Sequence, residues 1–138
     1  MDKAEQRKVN FLASGIAYNQ GNGTFKFEKL PIQAQFSCMN AIQVLDINGD
    51  AKKDLIYGGN YTHFIPQFGR LDGNRGGAFI QDKQNKWTWL SPQKSGIQWT
   101  GEIRDIQKIT IGTTPTLLFV RNNDTPISFI PTIKKWNT

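Results

Sequence analysis

Cysteine is almost absent. Cys38 stands alone among 138 residues, which excludes an internal disulfide framework and any zinc site built from paired cysteines. Its default role is that of a small buried hydrophobe. Histidine is equally scarce: His63 is the single one, and a lone histidine in a polar loop is expected to be solvated. No G-x-S-x-G or Gly-rich phosphate loop occurs, and no His/Asp pattern accompanies the serines, so catalysis is not expected. Runs approaching the roughly 18 apolar residues of a membrane helix are missing. The opening Met1-Asp-Lys-Ala-Glu-Gln-Arg-Lys8 also lacks the apolar core of a signal peptide.

Long Ala/Leu/Glu-rich stretches are absent as well, whereas aromatics reach 12%, with four Trp and nine Phe. That balance favours many short strands and an all-β fold. Seventeen Lys and Arg against eleven Asp and Glu give a net charge of +6. The basic residues are scattered, Lys52-Lys53 and Lys134-Lys135 being the densest pairs. Without a nucleic-acid-binding signature this reads as a solubilising surface, and no nucleic-acid partner is expected.

Along the chain, residues 1–9 form a polar tail and 10–138 a single β domain. Strands at 10–18 and 24–28 flank a Gly/Asn turn, so 10–31 reads as the closing hairpin of one unit. Residues 32–98 hold four strands, at 41–45, 55–57, 77–81 and 87–89, with a long polar and aromatic connection at 61–75. Residues 99–138 hold four more, at 102–106, 108–111, 116–120 and 127–130. The chain is self-similar: Phe25-Lys-Phe27 corresponds to Trp87-Thr-Trp89, and Leu55 to Asn60 corresponds to Leu118 to Asn123, at offsets of 62 and 63 residues (87 − 25 and 118 − 55). Four sequential strands per unit predict a partial β-propeller of antiparallel four-stranded blades. The 61–75 insertion explains why the period exceeds the roughly 40–50 residues of common blades.

The most informative stretch is Asp46-Ile-Asn48-Gly49-Asp50-Ala51-Lys52-Lys53-Asp54. Oxygen-bearing side chains at its first, third, fifth and ninth positions suit Ca²⁺, which takes six to eight oxygens; the Lys52 carbonyl and Asp54 would close the shell. Mg²⁺ fits less well, because it prefers octahedral geometry with several waters. An EF-hand would need Gly where Ala51 stands, Glu where Tyr57 stands, and flanking helices. The flanks here are apolar and β-branched, so the unit is strand, acidic loop, strand. Without an ion, the same residues make an ordinary Asx-rich turn. The counterpart loop, Gly112-Thr-Thr-Pro115, has no carboxylate, and no metal is expected there.

This Asp-x-Asn-Gly-Asp-x-x-x-Asp segment, followed by Tyr57-Gly-Gly-Asn60, resembles the calcium loop of the FG-GAP/VCBS repeats that build integrin-like β-propellers. Gly69-Arg70-Leu-Asp72, Gly101-Glu-Ile-Arg-Asp105 and Arg121-Asn-Asn-Asp124 further resemble the last blades of bacterial cartilage acidic protein-like (ASPIC/UnbV) proteins. The resemblance spans roughly residues 10–131 and implies a non-catalytic, calcium-binding module. It would sit outside the cell, at its surface or in the periplasm, as a piece of a longer exported chain, and would contact protein or polysaccharide. The family pattern has Gly where this chain has Ala51.

Three blades or fewer leave apolar sheet faces open, so the piece is expected to self-associate, to belong to a longer propeller, or to curl into a partial barrel. Within 61–75, Tyr61, His63, Phe64 and Phe68 are the candidate ligand-binding residues, since long loops on a β scaffold often carry recognition. Trp87 and Trp89 share one strand face and read as core. The alternatives are a lectin-like domain using exposed aromatics, or the accessory domain of a hydrolase. The pairs Arg70 with Asp72 and Arg104 with Asp105 read as surface ion pairs of small energetic weight.

Overall fold

Among the residues that the computed structural model describes, 7–65, 67 and 69–130, nine strands and one single-turn α-helix follow one another, with a 3₁₀ turn at Ile32–Gln35. They are β1 (Gly15–Asn19), β2 (Phe25–Lys29), β3 (Met39–Leu45), β4 (Asp54–Gly59), β5 (Ala78–Gln81), β6 (Trp87–Leu90), α1 (Pro92–Ser95), β7 (Ile103–Ile111), β8 (Thr114–Arg121) and β9 (Ile127–Phe129). The chain is all-β. Its strands form three antiparallel sheets of two, four and three strands, each in sequence order: β1-β2, β3-β4-β5-β6 and β7-β8-β9. None of the three closes on itself.

β4 explains where the core sits. Leu55, Ile56 and Tyr57 form a continuous apolar run, which requires cover on both faces, and every residue of the strand is buried. Phe79 of β5 stacks on Tyr57, ring centroids 5.0 Å apart. Ile103 and Ile106 of β7 and Leu117 and Phe119 of β8 complete the same cluster from the third sheet. The close approach of the second and third sheets is permitted at Gly58, where a Cβ would collide with the Ile103 side chain.

The self-similarity in sequence has a counterpart in space. The pairing of β3 with β4 slips between Met39 and Ala41, and that of β7 with β8 slips between Ile103 and Asp105. Both bulges lie at the start of the first strand of their sheets. Asn60 and Asn123, each just after the second strand, both have left-handed backbones, φ 73° and 51°. A bulge and a left-handed Asn thus recur at matching places in the two sheets.

Two expectations are corrected. The third unit does not begin with separate strands at 102–106 and 108–111; β7 runs unbroken through both, because Gln107 and Lys108 continue the ladder opposite Leu118 and Leu117. Gly112 then turns the chain at φ 62°, so the sheet has three strands among the described residues, and the 112–115 segment is a tight hairpin rather than a metal-loop counterpart. The strand expected at 10–18 is confined to Gly15–Asn19.

Several apolar side chains remain exposed: Ile42 and Val44 on β3, and Phe25 and Phe27 on β2. Open faces of this kind were expected of an incomplete stack of sheets. Among the described residues no helix is long and apolar enough to cross a membrane.

Candidate functional site

The acidic loop joins β3 to β4, and its conformation follows from its own side chains. Asp46 Oδ1 accepts the Gly49 and Asp50 N–H groups at 2.6 and 3.2 Å, and its Oδ2 accepts Ala51 N–H at 2.9 Å. Asn48 Oδ1 accepts Asp50 N–H at 3.0 Å, and Asp50 Oδ1 accepts Lys52 N–H at 2.8 Å. Such nested Asx turns wind the segment without help from elsewhere. Ile47 anchors it by burying its side chain in the core.

Asp54 is fully buried at the first position of β4. One carboxylate oxygen accepts Ile47 N–H and the other accepts Gln81 N–H, both at 3.0 Å. It therefore clasps the loop to both β4 and β5. Burial raises its pKa above the ordinary carboxylate value; the two amides oppose the shift, and the neighbouring Asp50 and Asp46 charges add to it. Three carboxylates thus act on one another within a loop.

The fit of this loop to Ca²⁺ is decided by its donors. Asp46, Asn48, Asp50 and the Lys52 carbonyl offer oxygens, as calcium requires. Asp46 Oδ1 already accepts two N–H groups and Asp50 Oδ2 accepts the Asn48 amide at 3.1 Å, whereas an oxygen accepting a single N–H keeps a second lone pair. Asp54 accepts one N–H on each oxygen, is fully buried, and serves first as the clasp. Among the described residues no group of three or more His, Cys, Asp or Glu converges in a metal-holding arrangement. Lys52 donates from Nζ to Asn85 Oδ1 at 3.0 Å in the β5–β6 turn; it is half-buried, while Lys53 is exposed.

Ala51 occupies the left-handed region at φ 66°, where a Cβ costs roughly 1–2 kcal/mol. Ala51→Gly removes that strain but loosens the unfolded chain by about 0.4–1 kcal/mol. The expected net is a gain of about 0.5 kcal/mol, read as a higher urea midpoint with an unchanged slope.

The second site lies on the 61–75 connection. Tyr61 and Leu71 exchange backbone hydrogen bonds at 2.8 and 2.9 Å, which closes the intervening residues into a ring at their base. Asn60 ties that base down: its Nδ2 donates to the Asn74 and Gly101 carbonyls, and its Oδ1 accepts Asn74 N–H. On this ring Tyr61, His63, Phe64, Ile65 and Leu71 line an apolar recess of ≈ 580 Å³, within the range of small-ligand pockets. Tyr61 meets Phe64 edge-on with centroids 4.8 Å apart. Phe68 lies outside the described residues.

His63 is not simply solvated. Its ring is 57% exposed, yet Nδ1 lies 3.0 Å from Oε2 of Glu102, which is 2% exposed. A carboxylate only accepts, so Nδ1 donates to Glu102. Thr62 donates to the same Glu102 oxygen through its N–H and hydroxyl, while Arg104 Nη2 lies 2.7 Å from Oε1. Arg104 therefore pairs with Glu102, not with Asp105, whose carboxylate accepts the Ile106 N–H and the Gln107 amide. Among the described residues Arg70 and Asp72 form no ion pair.

Burial alone raises the Glu102 pKa, but His63, Thr62 and Arg104 outweigh it and hold the group below its ordinary value. Its contribution is present above the unfolded carboxylate pKa and is lost as pH falls through the lower folded value. Glu102→Gln is accordingly expected to flatten the decline in melting temperature between about pH 5 and pH 3, where carboxylates titrate. A parallel decline in both proteins would contradict this.

Sequence reasoning missed Glu102 and Asn60. Glu102 stood out only as part of the Gly101–Asp105 segment, with no site role, and its partner lies 39 residues away. Compared with known proteins, the chain matches no family model, no curated protein and no solved structure.

Proposed function

We propose that the chain is a non-catalytic recognition module built from FG-GAP/VCBS-type propeller blades, with a calcium ion stapling the first two strands of the central blade. The blade assignment is supported by the recurrent bulge and left-handed Asn of the second and third sheets. β1 and β2 then stand for the last two strands of a preceding blade, and β7 to β9 for the first three of a following one. Asp46, Asn48, Asp50 and the Lys52 carbonyl hold the ion, and Asp54 holds the loop. Through the family resemblance, the module works outside the cell or at its surface, against protein or polysaccharide.

The observation that supports recognition is the apolar recess carried on a backbone ring and fastened by Glu102. An exposed aromatic surface on a rigid base suits binding, because little side-chain freedom is lost when a partner arrives. Immobilised protein probed with glycan and peptide arrays at about 1 mM calcium tests this. Phe64→Ser, at a 40% exposed position, should leave folding intact and weaken the captured ligand by about tenfold or more. Capture of nothing, or equal capture by the variant, would overturn the assignment.

A further inference from the structure

A second recess lies away from the Tyr61 ring, between the 3₁₀ turn at Ile32–Gln35, the 73–76 segment and α1. Its volume is ≈ 210 Å³, below the roughly 300–1,000 Å³ of drug-sized pockets, so it fits one small unit rather than a chain. Aromatic walls come from Tyr57, Trp89 and Phe36. The Trp89 indole donates to the Tyr57 hydroxyl at 3.3 Å, and that hydroxyl donates to the Gly76 carbonyl at 3.2 Å, which fixes both rings.

The polar lining is one-sided. Asn74, 2% exposed, lines the recess, and its Nδ2 donor has no hydrogen-bond partner. A buried donor of this kind is costly unless something accepts from it. Arg75 stands beside it, and its guanidinium has no carboxylate partner among the described residues. The Gln33 and Gln93 amides, which both donate and accept, are the other polar side chains, and no acidic residue lines the cavity. One unsatisfied donor and one cation call for an anionic acceptor; amides that work both ways match hydroxyls; fixed aromatic faces match the C–H face of a ring.

We infer that this recess binds a single carboxylated pyranose, a uronic acid unit, with its carboxylate toward Arg75 and the Asn74 amide and its ring against Trp89. The site uses neither the acidic loop nor the Tyr61 recess, so it stands or falls separately from the proposed function.

The test is a ¹H–¹⁵N NMR titration of the intact chain with glucuronate and, separately, with glucose. The Trp89 indole resonance is identified by its loss in Trp89→Phe. Glucuronate should shift that resonance and the Asn74 side-chain amide saturably, with a dissociation constant near the millimolar range usual for so small a ligand. Glucose, lacking the carboxylate, should bind at least about tenfold more weakly. Arg75→Gln, at an exposed position, should keep the rest of the spectrum and reduce glucuronate to the level of glucose. Absence of saturable shifts, shifts confined to other residues, equal binding of the two sugars, or undiminished binding by Arg75→Gln would each overturn the inference.

Discussion

Asp54→Ala is expected to lower stability by about 3 kcal/mol, because it strands two amides that lose their acceptor, at about 1–3 kcal/mol each. The Ile47 and Gln81 N–H groups both end on that carboxylate, and neither has water near enough to replace it fully: Ile47 is 3% exposed and Gln81 half-buried. For a chain of this length the melting temperature should fall by roughly 10 °C. Part of the loss is returned, since the charge is buried and its pKa is raised. A raised folded pKa means that the carboxyl contributes most below pH 3.8 and progressively less as pH rises through the folded value. The deficit of Asp54→Ala should therefore be larger at pH 3.5 than at pH 7 when compared with wild type. A fall of less than about 1 kcal/mol at every pH would show that the clasp is dispensable.

Gly58→Ala and Gly59→Ala should be comparably damaging for a different reason. A Cβ at position 58 meets Ile103, with its Cβ 2.7 Å away, and one at position 59 meets the carbonyl of Cys38, the residue just before β3. Neither obstacle is the free end of a flexible side chain. Overpacking of this kind costs about 1–3 kcal/mol and occasionally more. Position 59, where backbone must move, should be the worse of the two. At position 58 part of the loss should be recovered in an Ile103→Ala background, which removes the obstructing Cγ2 and Cγ1; denaturant melts of the two single variants and the double variant read this directly. Additive losses would contradict the stacking of β4 on β7.

How much of this was legible beforehand depends on the range of the interaction. The strands of the central sheet follow from alternation and from the apolar run 55–57, which are local signals, and the pairings of β3 with β4 and β5 with β6 follow from short connections. The acidic loop was equally plain, because its residues bond mainly to each other. The division of labour inside it was not: nothing local distinguishes Asp46, which winds the turn, from Asp54, whose second partner is 27 residues away on β5. The third unit misled because Gln107 interrupts an apolar pattern, although an exposed residue mid-strand is ordinary where one face meets solvent. His63 and Glu102 illustrate the same limit, since a side chain in a polar loop gives no hint of the buried carboxylate that holds it.

The staple is tested most directly by the melting temperature of wild type and Asp50→Ala measured across a calcium titration. Asp50 is exposed, so its loss should leave the apo fold intact while removing one oxygen ligand. At calcium about tenfold above a submillimolar dissociation constant, native-state binding should add about 1.4 kcal/mol, a rise of roughly 5 °C in wild type. The variant should show little or none of that rise. An unchanged wild-type melting temperature up to several millimolar calcium, or an equal rise in Asp50→Ala, would contradict a metal at the 46–54 loop.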